Sequence, residues 1–214
     1  MEMIDVYDAN LKLLGTEERN KAHMLGLWHK SFHLWLVSPK NGGQVMYQWR
    51  SREMQNFPDM LDISAAGHLL AGEKVSDGLR EAQEELGITL NMHDIHNLGY
   101  RVEVADQTNG QKNREYQAVH MAMVDADLNQ FSPQVEEVAG LYWVPISDGM
   151  GLFLDNLESV ACDGLFYDSL NSLWKQDKRK FTRNEFLPRI QKYYLTIHIM
   201  AGRFLNGCFP LAIS

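Results

Sequence analysis

Short runs rich in β-favouring apolar residues occupy the first two thirds of the chain and predict β-strands. Residues 4–14 predict a hairpin that turns at Asp8-Ala9-Asn10, and residues 16–25 predict a helix. Further strands are predicted at residues 32–37, 45–49, 61–66, 95–104, 116–124 and 141–144. These segments together favour a mixed sheet.

Turn signals separate several of these strands. Residues 40–43 (KNGG) lie between the strands at 32–37 and 45–49, and residues 108–110 (TNG) lie between two later strands. Pro145 follows the strand at 141–144 and ends it.

From about Ser147 onward the pattern becomes helical. The clearest helix is predicted at residues 189–205, where apolar side chains recur near helical spacing at Ile190, Tyr193, Tyr194, Ile197 and Met200. We therefore divide the chain into three parts: residues 1–25, a hairpin and helix of the same domain; residues 26–147, the core; and residues 148–214, a helical C-terminal extension. The extension is expected to cover the sheet, contribute a pocket wall or form a homodimer surface, and the sequence leaves these alternatives open.

Composition and charge limit the possible partners. A chain of 214 residues with 45% hydrophobic content can bury one good core. The 20 Lys and Arg against 28 Asp and Glu give a net charge of −8, which argues against nucleic acid as the main partner. The chain has no apolar signal segment and no run of about 18 apolar residues, so neither secretion nor a membrane span is expected. With only Cys162 and Cys208, a cytoplasmic location is predicted.

An acidic helix carries the strongest chemical signal. Arg80, Glu81, Glu84 and Glu85 lie within six residues of a predicted helix, where carboxylates three and four positions apart share a face. Such carboxylates repel one another unless a cation lies among them, and hard oxygen ligands suit Mg²⁺ or Mn²⁺ better than zinc. The Gly67 carbonyl, in the glycine loop before the helix, is a further candidate ligand. An ion held there would clamp a diphosphate and activate a water.

This segment resembles the Nudix box, G-x5-E-x7-R-E-U-x-E-E-x-G-U, in which U is a bulky aliphatic residue. The matching positions are Gly67, Glu73, Arg80, Glu81, Glu84, Glu85, Gly87 and Ile88. Two positions depart from the pattern: six residues rather than seven separate Glu73 from Arg80, and Ala82 replaces a larger aliphatic residue.

The resemblance implies a Nudix-type α/β/α sandwich with a mixed sheet, and hydrolysis of a diphosphate linkage. It also implies roles for individual residues. Glu81, Glu84 and Glu85 would hold the metal, Arg80 would orient them, and Glu73 would steady the loop.

The flanking sequence is similar to isopentenyl-diphosphate isomerase and its hydrolase-like relatives. The segments HLWLVSP, QWRS and DISAAGHLLAGE carry this likeness, and His23, His29 and His68 resemble the isomerase's metal-binding histidines. Zinc is a candidate for this second site, and His68 is also a substrate-binding candidate. The isomerase's cysteine is replaced by Ala66, and its pair of glutamates by residues 113–117 (NREYQ), so both proton-transfer partners are lost.

Hydrolysis also needs a base for the attacking water. Glu115, at the start of the strand predicted at 116–124, is the first candidate outside the box, since its side chain is expected to reach the box. Glu136 and Glu137 are second candidates, and a box glutamate is a further one.

Arg50 and Arg52 follow a predicted strand and have forked donors suited to a substrate phosphate. We therefore predict a Mg²⁺-dependent (or Mn²⁺-dependent) hydrolase of a small organic or nucleoside diphosphate. Two alternatives are an isomerase-type enzyme and a non-catalytic Nudix module that binds a nucleotide.

Overall fold

The computed structural model describes residues 2–107, 109–189 and 191–213. Two predicted features include residues outside these ranges. The turn at 108–110 includes Thr108, and the helix at 189–205 includes Ile190. The remainder of both features can be compared with the structure.

The strands, in chain order, are β1 (Met3–Tyr7), β2 (Leu13–Glu18), β3 (Trp28–Ser38), β4 (Gln44–Arg50), β5 (Leu61–Asp62), β6 (Ala65–His68), β7 (Ile95–Asp106), β8 (Lys112–Met123), β9 (Val138–Pro145), β10 (Ser159–Asp168) and β11 (Leu173–Thr182). The α-helices are α1 (Arg19–Leu25), α2 (Arg80–Leu86), α3 (Ile146–Phe153) and α4 (Tyr193–Leu205). No described helix is long and apolar enough to cross a membrane.

The sheet is mixed. Strand β3 runs parallel to β8, and the other strand pairs are antiparallel. Strands β3 and β4 pair only next to their connecting turn, at Val37 with Val45 and Ser38 with Gln44. Beyond that point they separate, and the opening is filled by β6, which pairs with β3, and by β5, which pairs with β4.

Alternate residues of β3 face two different helical layers. Phe32, Leu34 and Leu36 pack with Ala82 and Leu86 of α2. On the other face, Trp35 and Val37 belong to the cluster that contains side chains of α3 and α4. The predicted α/β/α sandwich with a mixed sheet is therefore confirmed. We refer to the two sides as the α2 face and the α4 face.

The predicted hairpin and strands of the first two thirds of the chain are confirmed, with two corrections in this region. Helix α1 begins at Arg19 instead of residue 16, because Thr16, Glu17 and Glu18 continue β2 and pair with β1. The segment predicted as one strand at residues 61–66 is divided into β5 and β6, which pair with different neighbours.

The C-terminal extension is only partly helical. Helices α3 and α4, at the two ends of the extension, confirm the helical prediction there, although α4 begins at Tyr193. The prediction is wrong for residues 159–182, which form the β10–β11 hairpin and extend the sheet beyond β9. Val160, Cys162 and Gly164 are buried while the residues between them are exposed, which is the two-residue period of a strand.

Candidate active site

Gly67 and Glu81 are in close contact where β6 meets α2. A Cβ atom at Gly67 would lie within 2.6 Å of Glu81 Oε2 and closer still to Oε1. Gly67 pairs with Phe32, so this position points toward the α2 face. Only glycine leaves room for the Glu81 carboxylate beside the β6 backbone.

Arg80 links the acidic residues to the loop that precedes them. Its Nε donates to Glu73 Oε1 at 3.0 Å, and its Nη1 lies 2.6 Å from Glu81 Oε1 and 2.9 Å from Glu84 Oε2. The Arg80 Nη2 donates to the His68 carbonyl at 2.9 Å. One guanidinium thus holds three carboxylates and the β6 backbone in a fixed relation.

The interval between Glu73 and Arg80 is one residue shorter than in the box pattern, but the two side chains still pair. A 3₁₀ turn, Val75–Leu79, connects the loop directly to α2. Glu73 Oε2 accepts a hydrogen bond from the Leu70 backbone at 2.7 Å, so Glu73 is held by its own loop as well as by Arg80.

Two of the three box glutamates are buried. Glu81 and Glu85 are 7% and 5% exposed, whereas the Glu84 side chain is 53% exposed. Burial, together with the charges of Glu84 and Glu137, raises the pKa of Glu81 to about 7, although Arg80 opposes this rise. Burial and the charges of Glu81 and Glu137 also raise the pKa of Glu85 well above its usual range.

This donor set fits a hard divalent cation. Glu85 Oε2 accepts from the Ala66 backbone at 3.1 Å and from Gln48 Nε2 at 3.3 Å, which leaves Oε1 for another partner. A cation among the carboxylates of Glu81, Glu84 and Glu85 would offset their repulsion and the cost of burying them. Oxygen ligands favour Mg²⁺ or Mn²⁺ at this position.

A second cluster is formed by His23, His29 and His68. One ring nitrogen from each histidine lies within 4.8 Å of the others, and His23 Nε2 is 3.1 Å from His68 Nε2. His29 Nδ1 bonds the Leu27 carbonyl at 2.8 Å, whereas buried His29 Nε2 has no hydrogen-bond partner among the described residues. Burial lowers the pKa of His23 and of His68, which favours the neutral imidazole that binds metals.

Glu115 belongs to this histidine cluster and not to the box. Its Oε2 accepts from Ser31 Oγ and from Gln117 Nε2, each at 3.0 Å, and its Oε1 lies 3.9 Å from His29 Nε2. Burial acts to raise the pKa of Glu115, but the imidazoles of His68 and His29 and the Gln117 hydrogen bond outweigh it and lower the pKa.

The position of Glu115 follows from the alternation of side chains along β3 and β8. Ser31 and Gln117 lie on the α4 face, while Gly67 and the box helix lie on the other. The expected approach of the Glu115 side chain to the box is therefore corrected.

Glu137 is less exposed than its neighbour Glu136. Glu137 is half-buried and its charge helps raise the pKa of Glu81 and of Glu85, whereas Glu136 is exposed. The backbone before it is fixed to α2, because Gln134 N donates to the Glu85 carbonyl at 3.1 Å.

The two arginines proposed for phosphate contact have different surroundings. Arg50 is partly buried, and its guanidinium donates to the carbonyls of Asn56 and Phe57 at 3.0 and 3.1 Å. The Arg52 side chain is 84% exposed and pairs with Asp59 at 2.9 Å. Arg50 therefore has a structural task in its own loop, and Arg52 projects into solvent.

Several buried polar residues near the site were not predicted. Gln48 contacts Glu85, and Asp62, its register partner on β5, binds both Arg50 and Arg189. The only signal for Gln48 was a polar residue within an apolar strand, and no motif marked Arg189. These contacts connect the C-terminal segment to the box.

Comparison with known proteins links these features to a family. Residues 27–159 match the family profile described as the NUDIX domain. An uncharacterized Nudix hydrolase of Clostridium acetobutylicum is 31% identical over 199 residues, which cover 90% of this chain and 93% of that protein. An isopentenyl-diphosphate Delta-isomerase of Halorhodospira halophila is 27% identical over 145 residues, 67% of this chain and 79% of the isomerase. A solved structure from Deinococcus radiodurans has a similar fold, with a TM-score of 0.55 at 19% identity over 72% of this chain and 90% of that one.

Proposed function

Because this chain belongs to the Nudix hydrolase family, whose members hydrolyse phosphoric anhydride bonds, we propose that it is a Mg²⁺-dependent hydrolase of a small organic or nucleoside diphosphate. The observation that carries the proposal is the set of box carboxylates joined by Arg80, with two of them buried against β6. Buried carboxylates that converge without enough cations of their own need an added positive charge.

Each residue of the box has a task in this reaction. Glu81, Glu84 and Glu85 would hold Mg²⁺, with the Gly67 carbonyl as a further ligand. Bound there, the ion supplies charge neutralisation for the diphosphate. Arg80 holds the carboxylates in position, and Glu73 holds Arg80 against the loop.

We assign Glu137 as the base that accepts the proton of the attacking water. It is half-buried and follows a segment whose backbone is hydrogen-bonded to α2, from Gln134 N to the Glu85 carbonyl. Glu115 is hydrogen-bonded within the histidine cluster, which supports a role there. The Glu137 carboxylate needs only to be ionised and within reach of the water to act as a base.

A substrate screen tests the proposal. We expect purified protein with Mg²⁺ to cleave at least one member of a panel of nucleoside diphosphates, sugar nucleotides, dinucleotides and isoprenoid diphosphates. Phosphorus NMR identifies the products, and a matched reaction in excess chelator should show no cleavage. Binding of several compounds with no turnover of any would instead favour a non-catalytic nucleotide-binding module.

The histidine cluster supports a second candidate, an isomerase-type activity on an isoprenoid diphosphate. Glu115 and the three histidines are together on the α4 face, as a metal site would require. Ala66 and Gln117 nevertheless supply neither a thiol nor a carboxylic acid for proton transfer at that face. Product analysis separates the two activities, because isomerisation conserves the diphosphate and hydrolysis releases phosphate or a monophosphate.

We also expect the histidine cluster to retain a transition metal, with zinc as the first candidate. Elemental analysis of protein purified without added metal should find about one equivalent, and the His29→Asn variant should lose most of it. His93→Asn is the control, since that histidine is exposed and lies outside the cluster. Equal metal content in wild type and His29→Asn would contradict the site.

A further inference from the structure

Gln48 is a buried amide within strand β4, and it lies on the same side of the sheet as the box helix. Only 3% of the residue is exposed. The side chains of β4 alternate between the two faces: Tyr47 belongs to the cluster on the α4 face and Met46 to the cluster on the α2 face, so Gln48 lies on the α2 face. An amide buried at such a position costs free energy unless it has a hydrogen-bond partner.

The partner of Gln48 is Glu85. Gln48 Nε2 donates to Glu85 Oε2 at 3.3 Å, and the Ala66 backbone N–H of β6 donates to the same oxygen at 3.1 Å. Gln48 is the only side chain among the described residues that donates a hydrogen bond to Glu85. Donors from two different strands thus hold one oxygen of a carboxylate that is itself buried, and no described donor occupies Oε1.

The three box glutamates differ in how their charge is offset. Arg80 Nη1 lies 2.6 Å from Glu81 Oε1 and 2.9 Å from Glu84 Oε2, whereas Glu85 forms no ion pair with any described residue. The two donors to Glu85, an amide and a backbone N–H, are both neutral. Such donors favour the ionised carboxylate without neutralising it, so Glu85 keeps its full charge for a cation.

We propose that Gln48 is a positioning residue for the metal of the box: it holds Glu85 Oε2 so that Oε1 can bind the cation together with Glu81 and Glu84. This role rests on the proposed function, and it gives Gln48 no contact with the metal or the substrate. A cationic side chain in place of Gln48 would compete with the metal for Glu85. An apolar side chain would remove one of the two donors that fix the orientation of the carboxylate.

Metal binding by the Gln48→Met variant tests this role directly. Methionine has a similar length and no N–H donor, so the variant should fold. It should bind Mn²⁺ about tenfold to a hundredfold more weakly than the wild type, the usual effect of losing a group that orients a metal ligand. Electron paramagnetic resonance measures free Mn²⁺ during the titration, and circular dichroism checks the fold. The same titration of His29→Asn separates binding at the histidine cluster from binding at the box.

Gln44→Met is the matched control. Gln44 is 5% exposed, lies on the same strand and face, and is four residues, or roughly 13 Å, from Gln48. Its replacement should leave the Mn²⁺ affinity unchanged. A second variant, Gln48→Asn, keeps the amide but withdraws it by one methylene group, so it should weaken Mn²⁺ binding without a change in polarity.

A double-mutant cycle shows whether Gln48 acts through Glu85. In the Glu85→Ala background, Gln48→Met should weaken the remaining Mn²⁺ binding by less than about twofold, because the carboxylate that Gln48 orients is gone. A general loss of structure would instead weaken binding by the same factor in both backgrounds.

The Mg²⁺ dependence of turnover gives a second readout. In Gln48→Met, the Mg²⁺ concentration for half-maximal rate should rise about tenfold or more. The rate at saturating Mg²⁺ should fall much less, because the bound cation itself then holds Glu85 in place.

Three results would overturn the role of Gln48. They are no Mn²⁺ binding by the wild type at millimolar concentration, wild-type Mn²⁺ affinity in Gln48→Met and Gln48→Asn, and an equal loss of affinity in the Glu85→Ala background. The hydrolase proposal fails separately, because the Mn²⁺ titrations need no substrate. A wild type that binds Mn²⁺ at the box but cleaves no compound of the panel would contradict the hydrolase and leave the positioning role of Gln48 in place.

Discussion

The Glu85→Gln variant is expected to lose at least about a hundredfold in Mg²⁺-dependent turnover while keeping its fold. Mutation of a residue that only supports a metal ligand costs about 10-fold to 100-fold, so loss of a ligand itself should cost no less. The amide oxygen can still accept the hydrogen bonds from Ala66 N and Gln48 Nε2, which keeps the local structure intact. Initial rates of product formation at saturating Mg²⁺ measure the effect, and circular dichroism checks the fold.

Two further variants serve as comparisons for Glu85→Gln. Glu84→Gln removes an exposed carboxylate of the same set and should lose activity to a similar extent. Glu158→Gln removes an exposed glutamate between α3 and β10 and should retain wild-type rates. Unchanged hydrolysis in both Glu84→Gln and Glu85→Gln would remove the basis of the proposed mechanism.

Thermal stability gives a readout that does not depend on the substrate. A ligand that binds only the folded state stabilises it by RT ln(1 + [L]/Kd), so Mg²⁺ should raise the melting temperature of the wild type. Glu85→Gln should show little of this rise. The same substitution removes a buried charge that is close to Glu81, so the metal-free variant should be at least as stable as the metal-free wild type.

The box could be located from the sequence because its contacts are local. Glu73, Arg80 and the three following glutamates lie within thirteen residues, and helix geometry determines which side chains meet. The interval between Glu73 and Arg80 is one residue shorter than in the box pattern, and the Arg80 side chain nevertheless reaches Glu73.

Contacts between distant strands were harder to predict. Whether Glu115 faces the box or the histidines depends on the register of β8 against β3, and a shift by one residue would move it to the opposite face. Arg189 could not be predicted at all. Its partners Asp62 and Glu103 are on β5 and β7, and no spacing rule connects the three residues.

The β10–β11 hairpin shows a different limit of prediction from the sequence. Strand β11 carries five charged residues, and Phe181 is its one buried side chain. A strand with so few buried apolar positions has little two-residue period in its sequence. Pairing with β9 supplies the remaining stabilisation, and that pairing is a long-range contact.

The Gly67→Ala variant should lose activity about as severely as the loss of a box glutamate, although it changes no charge. The added methyl group would overlap the Glu81 carboxylate, which must then leave its place. The β6 backbone has little freedom to yield, because Gly67 pairs with Phe32 and the neighbouring Ala66 N donates to Glu85. A catalytic group displaced by about 1 Å can cost about a hundredfold in rate.

Gly202→Ala is the matched control for this substitution. Gly202 lies within α4, and a Cβ there would have only Ile146 Cγ2 within 4 Å, at 3.7 Å. Alanine in a helix interior is favoured over glycine by about 1 kcal/mol, so this variant should be slightly more stable and fully active. If Gly67→Ala kept wild-type turnover and Mg²⁺ affinity, Glu81 would not need its observed position. In that case Glu84 and Glu85 would remain as the proposed metal ligands, and the close approach of β6 to α2 would serve packing alone.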